Sequence, residues 1–251
     1  MNRREILRAG FSLSTAAASG ALCLPAYALP PGVGEKEGLP MPAGEPMPTV
    51  QELLDIESAI AGKLKPYRDE VEFSQKILKN VPTDATPYQV AEYFSRLRSG
   101  EFNGKFGPDA PKYAIEWDER YNPIIVGFFD ATATRTPEGD TTAWCAAFVN
   151  WCLRAASVKG TNSAGSKSFR TWGTETKKPA QGDLVVFVRK DDNALGHVGF
   201  YVRQDAKHVQ VLGGNQGPVE YDAPKIGEVN IKPFGWNGKQ LEFHSFRSAT
   251  G

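Results

Sequence analysis

Apolar positions recur at helical spacing in five stretches of this chain, and three later runs have strand character. Thr49-Val50-Gln51-Glu52 has capping-box spacing and leads into Leu53, Ile56, Ile60 and Leu64 before Pro66 stops the run. A second helix is expected over 70–81. A third opens at Thr86-Pro87-Tyr88-Gln89, with cap, N1 proline and N3 glutamine in order, and ends at Gly100. Asn122-Pro123 begins a short apolar helix carrying Ile124, Ile125, Phe128 and Phe129. Thr141 or Thr142 can cap a fifth helix running through Ala156, whose Trp144, Phe148, Trp151 and Ala155 form the core-facing stripe. Strands are expected over 183–189, 197–202 and 208–212, the last two joined as a hairpin through 203–207. Helices followed by an antiparallel sheet predict an α+β fold.

The punctuation divides the chain into four. Residues 1–28 hold a basic head with Arg3, Arg4 and Arg8, a weakly hydrophobic stretch of small residues, and Ala26-Tyr27-Ala28, an export signal with an A-x-A cleavage site. The paired arginines resemble a twin-arginine signal, with a general secretory signal as the alternative. Both predict an exported protein, periplasmic or secreted. Residues 29–48 contain six prolines and four glycines and read as an extended linker. Residues 49–100 form a helical N-terminal region, and 101–251 carry the candidate chemistry, with Gly104, Gly107, Pro108 and Pro111 marking the boundary.

Composition narrows the function. The chain has 251 residues, 41% of them hydrophobic, which is enough to bury a real core. Its 29 basic and 29 acidic side chains leave no electrostatic footprint for nucleic acid. No apolar run predicts an integral membrane segment once the signal is removed. Cys23 leaves with the signal, so Cys145 and Cys152 remain. On one helix they stand about 10 Å apart along the axis, too far to form a disulfide. Three histidines, His197, His208 and His244, with no metal-ligand spacing, predict neither a metal nor a cofactor.

Cys145 falls in the first turn of its helix, where free N–H groups and the helix dipole are expected to lower a thiol pKa. The same position suits an inert packing cysteine, which is the better reading of Cys152. His197 starts a strand in Gly196-His197-Val198-Gly199-Phe200-Tyr201, with His197, Gly199 and Tyr201 on one face. If Val202 pairs with His208, His197 falls opposite about residue 213, and Asn215 or Gln216 can reach the imidazole. Cysteine, histidine and an amide are the parts of a nucleophilic hydrolase: the imidazole moves the thiol proton and the third group fixes its tautomer.

Thr142-Ala143-Trp144-Cys145-Ala146-Ala147-Phe148, then Gln181-Gly182-Asp183-Leu184, Gly196-His197-Val198-Gly199 and Gly213-Gly214-Asn215-Gln216 resemble, in order and spacing, the CHAP branch of the NlpC/P60-like cysteine peptidases. The resemblance runs over about 113–235. It implies a papain-like fold and cleavage of an amide bond in peptidoglycan, either between N-acetylmuramic acid and L-alanine or within the stem peptide. It assigns Cys145 as nucleophile, His197 as general base and acid, and Asn215 as orienter, with Gln216 and Asp183 as rivals for the third place. The backbone N–H of Cys145 is an oxyanion donor in this reading.

Trp144, Trp172, Tyr201 and Gln216 are the expected substrate-binding residues, the aromatics by stacking at the cleft. The 49–100 region is a packing or spacer module, or else the seat of a protein partner or of self-inhibition. Two other readings stand beside the hydrolase: a non-catalytic wall-binding protein that keeps the fold, and a secreted antibacterial amidase.

Overall fold

The computed structural model describes residues 68–117, 121–133, 142–217 and 226–249. The expected export signal, linker, first helix and the loop over 136–140 lie outside the described residues.

Helix α1 (Arg68–Leu78) and helix α2 (Pro87–Arg98) come first. The α2 start follows its sequence signature: the Thr86 hydroxyl accepts from the Gln89 N–H and the Gln89 side chain accepts from the Thr86 N–H. A cap of this kind contributes about 1 kcal/mol. Gly100, at φ +82°, takes the left-handed conformation that lets the chain leave the helix. A one-turn helix α3 (Asn103–Phe106) and a 3₁₀ turn (Ala110–Ala114) lead to helix α4 (Pro123–Phe128). Its Asn122 cap accepts from the Ile124 N–H at 2.9 Å. Helix α5 spans Cys145–Ala155.

Six strands follow: β1 (Thr174–Thr176), β2 (Leu184–Arg189), β3 (Gly196–Gln204), β4 (His208–Gln216), β5 (Glu228–Gly235) and β6 (Leu241–Ser248). They form one antiparallel sheet in the order β1-β6-β2-β3-β4-β5. The molecule is α+β, as the pattern predicts. Strands β1, β5 and β6 have no counterpart in the sequence reading. Pro233 conceals β5, because proline removes a ladder donor and is tolerated where one side of a strand is unpaired. In this sheet β5 is an edge.

The sheet has two apolar faces. Leu184, Val186, Val198, Phe200 and Leu212 share a core with the helices, whereas Val185, Phe187, Val209, Val211 and Phe246 form a second, smaller cluster. Alternation along β2, β3 and β4 produces this split. The first core extends from Val71 and Ile77 in α1, through Val90, Phe94 and Leu97 in α2, to Phe148 in α5. Phe94 packs edge-on against Phe128, Phe148 and Trp151. Helices α1 and α2 are thus built into the core that seats Cys145, and no packing boundary falls near residue 101.

The hairpin register differs from the one expected. Phe200 pairs with Leu212 and Tyr201 with Val211, and a bulge follows between Tyr201 and Arg203. Extending the Phe200–Leu212 pairing brings His197 level with residue 215 instead of 213. A second irregularity, between Gly213 and Gln216, separates Asn215 from Gln216 at the end of β4.

Candidate active site

Cys145 is the first residue of α5. The cap position is taken by Trp144, which has no side-chain capping bond, and not by Thr142 as expected; Thr141 lies outside the described residues. The first N–H groups of a helix have no intrahelical partner. Here those of Cys145 and Ala146, together with the N–H of Val198 from β3, hydrogen-bond to the Cys145 sulfur and pull its pKa down. Burial acts the other way and is larger: the residue is 4% exposed, and its thiol is raised overall. The expectation of a lowered thiol pKa is therefore corrected; desolvation exceeds the stabilisation by the helix terminus. Cys152 lies deeper on α5, fully buried and raised well above an ordinary thiol, which is the inert setting expected of it.

His197 sits near the start of β3, adjacent in sequence to the Val198 whose N–H meets the Cys145 sulfur. Its ring lies on the face of the smaller cluster, stacked on Phe234 at 5.1 Å between centroids and 18° between planes. Burial lowers its pKa, the hydrogen bond to Gln216 opposes that and the nearby Lys232 ammonium adds to it, so that the net value is about 4. Near neutral pH, thiol and imidazole are both uncharged.

Gln216 is the side chain that meets the imidazole. His197 Nε2 and Gln216 Oε1 are 3.0 Å apart. Gln216 Nε2 donates to Asn230 Oδ1 at 2.7 Å and to the carbonyl of Asn230 at 2.8 Å, with the Val211 carbonyl at 3.3 Å. With three oxygens around the amide nitrogen, Oε1 is the end that faces the ring. A carbonyl oxygen only accepts, so Nε2 of the neutral imidazole carries the proton and Nδ1 the lone pair.

Gly213 makes room for this contact. A Cβ there would stand 2.9 Å from Gln216 Oε1 and 3.4 Å from His197 Nε2.

Asn215, the expected orienter, is turned elsewhere. At φ +55° it occupies the left-handed region that asparagine tolerates best after glycine. With its amide nitrogen toward the Glu116 carboxylate, it donates to Glu116 Oε1 at 3.1 Å and accepts from the Trp144 N–H at 3.2 Å. It holds the residue that precedes Cys145, not the histidine. The missed bulge is the reason: it separates the directions of two neighbours that simple alternation could not rank. Asp183, the other rival, accepts from the Ala180 N–H at 2.8 Å and organises the turn into β2.

The expected substrate-binding residues do not converge on a cleft. Trp144 is fully buried, nearly parallel to Phe128, and its indole N–H donates to Glu116 Oε1 at 2.8 Å. Trp172 is half-buried against Phe169, its indole donating to the Lys159 carbonyl at 2.9 Å. Tyr201 packs edge-on against Phe246 in the smaller cluster. Gln216 is 2% exposed and is engaged by His197 and Asn230. Large aromatics in a strand or helix bury in the core as readily as they line a cleft, and periodicity does not separate the two.

Three polar residues outside the sequence reading extend the site. Asn230 Nδ2 donates to Glu228 Oε1 at 2.7 Å, and Glu228 Oε2 accepts from Arg98 Nε at 2.8 Å and Nη2 at 2.7 Å. The only trace of them in the sequence is the alternation Glu228, Asn230, Lys232. Among the described residues, no group of three His, Cys, Asp or Glu side chains could hold a metal ion, and no helix is long and apolar enough to cross a membrane.

Residues 137–215 match the family model described as CHAP domain. The match is narrower than the stretch on which the resemblance rests. It includes Cys145 and His197 and ends at Asn215, one residue before Gln216. No curated protein and no solved structure gives a significant match.

Proposed function

We propose, from the premise that residues 137–215 match the CHAP domain model, that the protein is an exported cysteine amidohydrolase that cuts an amide bond of peptidoglycan, as an N-acetylmuramoyl-L-alanine amidase or a stem-peptide endopeptidase. The observation that carries this reading is the hydrogen bond between His197 Nε2 and Gln216 Oε1, which leaves the other ring nitrogen as a base. Export rests on the basic head, weakly apolar stretch and A-x-A of residues 1–28.

In this mechanism the pair starts neutral. As the Cys145 sulfur attacks the substrate carbonyl carbon, His197 Nδ1 takes the thiol proton, and the carbonyl oxygen becomes an oxyanion to which the Cys145 N–H donates. The tetrahedral intermediate collapses as the imidazolium returns that proton to the leaving amine, leaving a thioester on Cys145. Water then attacks the thioester with His197 again as base, releasing a carboxylate and restoring the thiol. Proton transfer of this kind contributes about 10²- to 10⁴-fold in rate.

The test is mass spectrometry of soluble products from isolated peptidoglycan incubated, under reducing conditions, with the protein and with Cys145→Ala. Free stem peptides with N-terminal L-alanine identify an amidase, and shortened stems an endopeptidase, provided the variant gives neither. No product from several wall chemotypes, with binding retained, would overturn the hydrolase reading in favour of a wall-binding protein.

A further inference from the structure

Strand β5 forms one wall of the candidate site, and it lies beyond the residues that match the family model. Alternation puts Asn230, Lys232 and Phe234 on one face of it, and the pairing with β4 is regular across them, from Asn230 opposite Gly213 to Phe234 opposite Val209. The first and last of the three both serve His197: Asn230 accepts from Gln216, whose Oε1 meets the imidazole, and Phe234 stacks on the ring. Lys232 stands between them, partly exposed. Its ammonium donates to the carbonyl of Gly217, the residue after Gln216, at 3.1 Å. Asn230 Nδ2 donates to that same carbonyl at 3.2 Å, which places the lysine beside the amides that orient the ring.

A cation in this place works against the chemistry unless an anion offsets it. His197 becomes an imidazolium when it takes the thiol proton, and the Lys232 charge opposes that protonation. An anionic group of the substrate bound at Lys232 removes the repulsion in the complex in which the proton moves. The side of the site on which Lys232 stands says which half of the substrate carries the anion. The acyl half bonds to Cys145 at the start of α5, whereas the leaving amine takes its proton from His197, and Lys232 stands with the histidine. A carboxylate on the carbon that bears the leaving amine is the nearest anion a peptide offers there. A residue linked onward through its side-chain carboxyl, or one that ends its chain, has such a carboxylate. The alanine released from N-acetylmuramic acid does not, because its carboxyl is taken up in the next amide.

We propose that Lys232 binds a free carboxylate on the carbon that carries the leaving amine, and so selects stem-peptide bonds over the N-acetylmuramoyl–L-alanine bond. Lys232 is a specificity-determining residue, and its role rests on the reading of the chain as a cysteine amidohydrolase. An ammonium has three donors, of which the Gly217 carbonyl takes one. A charge-assisted hydrogen bond to a carboxylate in such a site is worth about tenfold or more in kcat/KM.

The full chain is incubated with isolated peptidoglycan, and the residue that gains a free amine is identified by mass spectrometry. That residue is expected to carry a free carboxylate on the same carbon. Release of N-terminal L-alanine would overturn the proposal and leave the hydrolase reading intact. The stem peptide that is cut is then compared with a counterpart in which that carboxylate is a carboxamide. The unmodified protein is expected to favour the carboxylate by about tenfold or more in kcat/KM, Lys232→Arg to keep most of that preference, and Lys232→Met to bring the two substrates within about twofold. Equal rates on the two substrates in the unmodified protein, or an undiminished preference in folded Lys232→Met, would each overturn it. If Lys232→Met does not fold, the released terminus and the preference of the unmodified protein still decide. An unmodified protein that cleaves nothing would sink the hydrolase reading, and calorimetry with an L-alanyl-γ-D-glutamyl peptide and its α-carboxamide then decides the role of the lysine: tighter binding of the carboxylate form supports it and equal affinities overturn it.

Discussion

The Val198 backbone N–H is hydrogen-bonded to the sulfur of Cys145, which ties the first residue of helix α5 to strand β3 one residue beyond His197. The sulfur is thereby placed by backbone on both sides. The same donor will stabilise a thiolate when one forms, but in the resting site burial exceeds that help and the thiol stays protonated.

Alkylation should therefore be slow. With iodoacetamide at pH 7, Cys145 is expected to react more slowly than a free cysteine and to accelerate as pH rises above about 9, because the thiolate is the reactive form. Cys152, with the larger upward shift, should lag behind it. Peptide mapping of the labelled protein distinguishes the two sites. Rapid labelling of Cys145 at pH 6 would instead indicate a preformed thiolate–imidazolium pair.

The pH dependence of kcat/KM should have its acid limb near pH 4, where His197 takes up a proton and ceases to act as base. An ordinary imidazole would place the limb near 6.5. Stability follows from the same shift. The unfolded chain binds this proton below about pH 6.5 and the folded chain only below about 4, so His197 lowers stability progressively as pH falls across that window. The full difference is about 3 kcal/mol. Thermal melting from pH 4 to 7, compared with a His197→Gln variant, should show the wild type losing more stability toward the acid end. Parallel curves would rule out the low value.

Gly213→Ala places a methyl group where Gln216 Oε1 and His197 Nε2 meet. The 2.9 Å approach is closer than a Cβ allows, so Gln216 Oε1 must shift from its position against the imidazole. A loss of about 10²-fold or more in kcat is expected, together with about 1–3 kcal/mol of stability from the strained packing. Steady-state kinetics and melting curves measure both.

Gln216→Ala and Asn215→Ala should separate cleanly. Gln216→Ala removes the hydrogen bond to the imidazole and should lower kcat by about 10²–10⁴-fold with a smaller change in KM. Asn215→Ala removes the bonds to Trp144 and Glu116 and puts alanine at a positive φ. Its expected effect is on stability, about 1–2 kcal/mol or a few degrees in Tm, with a smaller change in kcat. Equal effects on kcat would mean that both side chains act on the imidazole.

The sequence by itself determined the elements whose signals are local. The Thr86–Gln89 box and the Asn122 cap are satisfied within three residues, so the start of α2 and the Asn122-capped start of α4 were legible without the fold. The same holds for the apolar stripe of α5 and for β2, β3 and the beginning of β4. Tertiary structure decided everything that depends on how separate segments meet. One bulge between Gly213 and Gln216 turned Gln216 to the imidazole and Asn215 to Trp144, and no alternation rule foresees an extra residue in a strand. Burial raised the Cys145 thiol against its helix terminus, and burial depends on the whole molecule. Arg98 and Glu228 lie 130 positions apart in the chain, and their contact exists because α2 packs beside an edge strand whose proline had hidden it. Local chemistry writes caps and periodicities into neighbouring residues; the directions of side chains in a buried polar line are set by partners that only folding brings together.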